Sequence, residues 1–378
     1  MSSLNITGGQ VLRDGKLAVG NLAIADGVVV AGAAARRLDA TGLLVLPGIV
    51  DLHGDAFERQ IQPRPGVNFP MAAALADTER QLLANGITTA FHGVTLSWEP
   101  GLRGVEMWRA ILAGLAARDW ACDMRVHLRF EAYNPAALDE AIADIAAGRV
   151  HLLAFNDHTP AILRRLDDDA KASKYSERAG MDLAAFRTLA LAVAGEEAAV
   201  KPAEARIAAA ARAAGVPMAS HDDDTVATRE HFRSVGARIC EFPVDEAVGQ
   251  AARAAGDAVV MGAPNVLRGG SHLGWASAAV LAEAGICSVL CSDYYYPALL
   301  RAAFILAGRG KMDLAQAWAL VAENPARAGG LADRGTLALG QRGDAVLVAD
   351  RGGVPELVAT VAQGRVVWMS AEGAARLG

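Results

Sequence analysis

Histidines and carboxylates stand at the ends of several short apolar runs in this sequence, and these are the side chains that hold divalent metal ions. His53-Gly54-Asp55 closes the first run. Side chains of an extended chain alternate faces, so His53 and Asp55 are expected to point the same way and to grip one ion. One H-x-D is a weak signal, but the pattern recurs. Later runs close in Asn156-Asp157-His158, in Ser220-His221-Asp222-Asp223-Asp224 and in Ser292-Asp293. In Arg125-Val126-His127-Leu128-Arg129-Phe130-Glu131 the apolar residues share one face, leaving His127, Arg129 and Glu131 on the other. A carboxylate turned inward there is costly without a cation. Glu131 is therefore a candidate ligand whose two oxygens can bridge two ions; a structural pair with Arg129 is the alternative. His53, Asp55, Glu131, His158, His221 and Asp293 form the predicted ligand set. Imidazole with carboxylate suits Zn²⁺, with Mn²⁺ or Fe²⁺ as other candidates. Asp222, Asp223 and Asp224 are expected to support ligands or to face solvent. His151 and His231 are expected to be structural, and His92 ends a run from which it could touch a substrate.

A second group of residues fits an anion. In Pro264-Asn265-Val266-Leu267-Arg268-Gly269-Gly270-Ser271-His272 the paired glycines let backbone N–H groups approach a phosphate, and Arg268 can fork onto its oxygens. An ordinary glycine turn is the alternative. Two prolines stiffen the run from Phe57 to Val67, which would present Arg59 and Arg64 at the mouth of the site.

The elements that must carry these residues are short strands alternating with Ala/Leu-rich helices, the pattern of a parallel sheet with crossover helices. Eight strands are expected, at 45–53, 87–92, 124–131, 150–156, 216–221, 238–242, 258–261 and 288–293. Eight βα units match a TIM-type (β/α)8 barrel of the α/β class, where catalytic residues sit at the C-terminal ends of strands. An open doubly wound sheet is the alternative. The barrel is expected over 46–333, with a helical hairpin inserted at about 160–215. Segments 1–45 and 334–378 read as short strands and turns, punctuated by Asp14-Gly15, Asp26-Gly27 and Thr41-Gly42.

Composition narrows the partners. With 53% hydrophobic residues over 378 positions the chain can bury a large core. Lys+Arg 36 against Asp+Glu 42 gives a formal charge of −6, which argues against nucleic acid. Cys122, Cys240, Cys287 and Cys291 contain no C-x-x-C pair and read as reduced thiols of a cytoplasmic protein. The first residues lack the basic and apolar regions of a signal peptide. No apolar run reaches the roughly 18 residues of a membrane span. A small-molecule partner is expected, and a homo-oligomer is left open.

Val45-Leu46-Pro47-Gly48-Ile49-Val50-Asp51-Leu52-His53 resembles the amidohydrolase-superfamily signature L-P-G-x-[IV]-[DE]-x-H. The resemblance implies a small β-sandwich domain built from both chain ends. It also implies that Glu131, His158, His221 and Asp293 act as bridging carboxylate, two histidine ligands and final aspartate. The similarity extends to one branch, the α-D-ribose 1-methylphosphonate 5-triphosphate diphosphatases of phosphonate metabolism in the carbon–phosphorus lyase pathway. Matching stretches include Pro63-Arg64-Pro65-Gly66-Val67, His127 to Glu131, Asp157-His158-Thr159-Pro160, Glu241-Phe242-Pro243, Arg268 to His272 and Ser292-Asp293-Tyr294-Tyr295. The chain departs from that branch at Gly54, at Ala161 to Arg164, at Tyr296 and in the segment Phe91 to Trp98, changes that bear on the substrate rather than the ligands.

The branch implies a hydrolase that releases diphosphate from a ribosyl 5-triphosphate. Two ions bridged by Glu131 would lower the pKa of a shared water, and Asp293 would take its proton. Arg64, Arg129, Arg268, Gly269, Gly270 and Ser271 would bind substrate, and His272 would bind phosphate or protonate the leaving group. The rival enzyme is a cyclic-amide hydrolase or deaminase with the same metals; a sugar-phosphate binding protein without activity is the rival of another class.

Overall fold

The computed structural model describes residues 3–32, 36–270 and 276–378. Ser271 and His272 lie outside the described residues.

Eight parallel strands follow one another around the barrel: β1 (Ile49–Gly54), β2 (Ile87–Leu96), β3 (Asp123–Glu131), β4 (Leu152–Asn156), β5 (Met218–His221), β6 (Ile239–Glu241), β7 (Ala258–Gly262) and β8 (Val289–Cys291). The first and last meet at their C-terminal ends through a parallel bridge between Gly54 and Asp293. There the Asp293 N–H donates to the His53 carbonyl and the Asp55 N–H to the Asp293 carbonyl, both at 2.9 Å.

Strand alternation sorts the side chains into an outer and an inner face. Val126, Leu128, Phe130, Leu153 and Phe155 face outward into the helices. Phe91, Leu152, Ala154, Ala219, Ile239, Val260 and Cys291 fill the barrel interior as an apolar plug. Two positions beyond Ala154, Ala219, Ile239 and Cys291, on the same face, come Asn156, His221, Glu241 and Asp293. The plug thus closes the lower barrel and leaves polar side chains at the upper end, the arrangement of a TIM-type barrel with its site at the strand C-termini. On β1 a register shift between Asp51 and Gly54 interrupts the alternation. Leu52 joins the plug and its neighbour His53 still reaches inward, to Glu241.

Strands from both chain ends build a second, mostly antiparallel sheet. Ser3–Arg13, Lys16–Ala25, Val28–Val30, Arg36–Asp39 and Leu44–Pro47 join Ala345–Asp350, Pro355–Ala362 and Arg365–Met369 around their own apolar core. The single strand expected at 45–53 is therefore two strands in two sheets. Leu44–Pro47 pairs with Ala345–Asp350, and Ile49–Gly54 with Ile87–Leu96. The break falls at Gly48, where a Cβ would lie 2.4 Å from Thr88 Oγ1 and 3.0 Å from Asp344 Cβ. Only glycine passes between the sheets there. An ion cluster ties the same junction: Asp123 accepts from Arg125 at 3.0 Å, Arg334 at 2.6 Å and Arg342 at 3.2 Å.

The segment expected as a helical hairpin holds four helices: Thr159–Leu163, Asp169–Ala179, Leu183–Ala194 and Glu197–Ala214. The signals are local. Gly180 closes one helix at φ 67, and the Asp182 carboxylate caps the next by accepting from the Ala185 N–H. The last helix packs on the barrel through Ile207, Ala208 and Ala211. The others gather Ile162, Leu166, Phe186 and Ala190 into a small core of their own. Among the described residues, no helix is long and apolar enough to cross a membrane.

Candidate metal centre

Two groups of ligand-type side chains converge at the upper end of the barrel and share His221. The inner group is His53, His221 and Glu241, and the outer group is His158, His221 and Asp222; within each, the ligand atoms lie within 4.8 Å of one another. His53 comes from β1, His221 from β5 and Glu241 from β6, so three separate strand ends meet. His53 is 1% and Glu241 0% exposed, and Nδ1 of His53 sits 3.1 Å from Glu241 Oε2. His127 Nε2 stands 3.7 Å from that same oxygen. Burial, with Arg129 and His221 nearby, pushes the His53 imidazolium well below its usual range, and burial holds His127 down at about 3. Both rings are thus neutral at physiological pH, the form that ligates metal.

In the outer group His221 Nδ1 faces Asp222 Oδ2 at 3.1 Å, while Arg129 Nη2 lies 3.1 Å from His221 Nε2. His158 turns Nδ1 toward Glu131 Oε2 at 3.0 Å. The other Glu131 oxygen accepts from the His158 N–H at 2.7 Å, and from the Thr159 N–H and hydroxyl at 3.2 Å each. Burial would raise the Glu131 pKa, but the His158 and Thr159 donors outweigh it and hold the carboxyl ionised. Glu131 belongs to neither group, and it does not pair with Arg129. Arg129 instead reaches Asp55 at 3.8 Å and, when the Asn156 oxygen faces it, Asn156 at 3.2 Å.

Asp293 closes the site from β8. Burial, then repulsion from Asp55, pushes its carboxyl up to about 7, with Arg129 pulling the other way. Its backbone is left-handed, φ 53, as are those of Asp222 (φ 58) and Phe242 (φ 53). Three non-glycine residues in that sparsely populated region at adjoining strand ends store strain where the side chains must be aimed. Asp51 helps to hold the turn, accepting from the Ser292 N–H at 2.9 Å and from its hydroxyl at 2.5 Å.

These residues open on a cavity of about 290 Å³ lined by His53, Asp55, Arg129, His221, Asp222 and Asp293, and farther out by Asn265, Arg268 and Tyr294. Arg268 lies on its rim, 3.5 Å from the Tyr294 hydroxyl. Arg64 is exposed and does not line the cavity. Gly269 ends the helix Ala263–Arg268 at φ 79, its N–H given to Val266, and the Gly270 N–H goes to Asn265. Both glycines therefore act as a helix cap here, with their N–H groups already used. His92 is buried against Phe57 away from the cavity, His151 accepts from the Val126 N–H, and His231 pairs with Glu204 at the surface. Asp223 pairs with the buried Arg229, and Asp224 accepts from Thr228.

The donor set fits a divalent cation. Among the described residues, both nitrogens of His127 and Oε1 of Glu241 are buried without a hydrogen-bond partner. Buried polar atoms without partners are rare, and several in one place point to a missing cation. Asp55, Asp222 and Asp293 also share the guanidinium of Arg129 as a cationic neighbour. Sequence reasoning placed His127 on the inward face without a role there and left Glu241 out of the ligand set. The signal for Glu241 was available: it closes its strand as His221 closes β5, two positions after the plug residue Ile239.

No family model matches the chain. It is 33% identical over 356 residues to the alpha-D-ribose 1-methylphosphonate 5-triphosphate diphosphatase of Escherichia coli (strain K12), covering 89% of this chain and 93% of that protein. Among solved structures it resembles 5-methylcytosine deaminase from Klebsiella pneumoniae, at 16% identity, 97% of each chain and a TM-score of 0.60. It also resembles dihydropyrimidinase from Brevibacillus agri, at 16% identity over 97% of this chain and 95% of that one, with a TM-score of 0.55. A third neighbour is described as an amidohydrolase, at 15% identity, 98% and 100% coverage and a TM-score of 0.60. Those likenesses share the barrel with its added sheet, while the sequence match runs through nearly the whole chain. The chain belongs to the family of the Escherichia coli alpha-D-ribose 1-methylphosphonate 5-triphosphate diphosphatase.

Proposed function

We propose that this chain is a zinc-dependent hydrolase that cleaves α-D-ribose 1-methylphosphonate 5-triphosphate, or a closely related ribosyl triphosphate, and releases diphosphate in phosphonate catabolism. The observation that carries this is the 33% identity to the enzyme of that name, extending over 89% of the chain. The site's charge supports it. Three aspartates at the cavity would repel a polyphosphate unless cations face it, and among the described residues Arg129 and Arg268 are the cationic side chains lining it.

His53, His221 and Glu241 would hold one cation, and His158 with Asp222 a second, with Asp55 and Asp293 alongside, since a neutral imidazole offers one lone pair. When bound, divalent ions would acidify water and neutralise charge on phosphoryl oxygens. The protein's own groups do the rest. Asp293 accepts a proton from the water that attacks the α-phosphorus, as the bond from that phosphorus to the α,β-bridging oxygen breaks and diphosphate departs. Arg129 lies deep enough to steady the reacting phosphoryl group. Arg268, with its guanidinium at the rim, meets the outer phosphates by forked hydrogen bonds. Arg64 is displaced from the cavity and is dropped from the substrate contacts; His272 keeps only the role that the family resemblance implies.

The test is a diphosphate-release screen of ribosyl and nucleoside triphosphates with metal-reconstituted protein, run beside cyclic amides and aminopyrimidines. Turnover confined to the amides or aminopyrimidines transfers the assignment to the amidase and deaminase side of the superfamily.

A further inference from the structure

We infer that the end of the barrel opposite the metal centre carries a second binding site, for an anion that bears a diphosphate group. A groove of about 650 Å³ opens there, where β5 to β8 begin. Met218, Ile239 and Ala258, the first residues of β5, β6 and β7, stand in its wall, with Ser288 just before β8. That volume suits a small-molecule ligand. Its charge is one-sided: Arg212, Arg238, Arg253 and Arg327 line it, all exposed, against one carboxylate, Asp257. Asp257 is buried and already committed, to Arg233 at 3.2 Å and Arg229 at 3.7 Å.

The guanidiniums are aimed without being neutralised. Arg212 donates to the Val235 carbonyl at 2.5 Å, Arg238 to the Arg233 carbonyl at 3.1 Å and Arg253 to the Gly285 carbonyl at 3.1 Å. A carbonyl orients a guanidinium and leaves its charge and its other N–H donors available. Among the described residues these three have no carboxylate partner, while Arg327 has Glu323 at 2.5 Å. Arg212, Arg253 and Arg327 each lie in the last turn of a helix (Glu197–Ala214, Glu246–Ala254 and Glu323–Ala328). In each the glycine three positions on, Gly215, Gly256 or Gly330, donates its N–H to the arginine carbonyl. A cation there complements the helix dipole, which accounts for one arginine per helix end. It does not account for Arg238, which precedes β6 outside any helix, nor for keeping three unpaired like charges around one groove, where they repel. An anion removes that repulsion, and the forked N–H pairs of arginine match phosphoryl oxygens. A phosphate monoester carries about −1.5 to −2 at pH 7, short of three guanidiniums, so the match is to two linked phosphoryl groups. The inference stands on this groove alone and not on the proposed reaction.

The experiment maps arginine protection at the groove itself, so binding at the metal centre does not enter the reading. The full chain is treated with phenylglyoxal at constant ionic strength across a diphosphate titration, and peptide masses report modification at Arg238 and Arg253 separately. Both should be protected saturably. In Arg238→Gln the midpoint for protecting Arg253 should rise at least about 10-fold, the worth of one charged hydrogen bond, while in Arg268→Ala it should not move. Protection by ADP at similar concentrations would identify the ligand as a nucleotide read through its diphosphate, and protection by diphosphate alone as the free anion; either supports the site. No protection beyond that of matched sodium chloride overturns the inference, and this result needs no variant to fold. So does a midpoint that moves in Arg268→Ala and not in Arg238→Gln, which assigns the effect to the other end of the barrel. Protection by a hexaglutamate peptide but not by diphosphate also overturns it, and makes the groove a surface for an acidic protein segment.

Discussion

Replacing Glu241 with glutamine gives the sharpest test of the inner cation position. Glu241 is fully buried and is the one carboxylate of its group, since His53 and His221 are imidazoles. It also holds the His53 ring through the 3.1 Å contact to Nδ1. The amide keeps the shape but removes the charge and disturbs that histidine. Loss of an outer partner alone typically costs 10–100-fold in affinity. Glu241 combines ligand and partner, so the inner site should weaken at least about 100-fold, or about 2.7 kcal/mol at 1.36 kcal/mol per decade. The outer group keeps His158, His221 and Asp222, and losing the inner ion also removes that ion's repulsion, so one equivalent should still bind. The assay strips the protein with chelator, titrates Zn²⁺ against a chromophoric competitor, and counts bound metal by elemental analysis. Circular dichroism checks the fold. Two equivalents bound by folded Glu241→Gln with the affinities of the unsubstituted protein would refute the inner site and the reasoning from buried atoms without partners.

Three further outcomes are expected. Asp293→Asn should keep most of the metal while losing about 10²- to 10⁴-fold in kcat, the usual worth of a general base, and near-normal turnover would remove Asp293 from that role. Arg268→Ala should lower kcat/KM for ribosyl triphosphates by about 10- to 100-fold while leaving turnover of uncharged amides unchanged, the worth of a charged hydrogen bond; equal losses on both would make Arg268 structural. Asp123→Asn should flatten the acid side of the stability curve. Burial pushes Asp123 up, but Arg125 and Arg334 outweigh it and hold the carboxyl below 3.8. A folded value below the unfolded one gives stability that is present above about pH 4 and lost as pH falls through the folded value. Thermal melts from pH 3 to pH 7 check this, and an unchanged acid limb would refute it.

Much of the barrel was legible because its cause is local. Along β3 the apolar Val126, Leu128 and Phe130 alternate with His127, Arg129 and Glu131, and that period-two hydrophobicity is written in the chain itself. Strand ends that close in His158, His221 and Asp293 could be named for the same reason. What the sequence misplaced depends on contacts far apart in the chain. The strand expected at 45–53 divides at Gly48 because Thr88 and Asp344 press on that one position from different segments. The helices of the insertion are marked locally, by Gly180 and Asp182. Glu131 is the instructive residue. Its type and inward face follow from sequence, but the groups it meets do not. The strand register brings Glu131 beside His158, and the turn into the following helix sets its carboxylate oxygens against His158 and Thr159. Glu241 gains its place in the same way, because β1, β5 and β6 deliver three side chains to one point. Sequence determined which groups face the barrel interior; tertiary structure decided which of those groups meet, because strand register and turns join segments far apart in the chain.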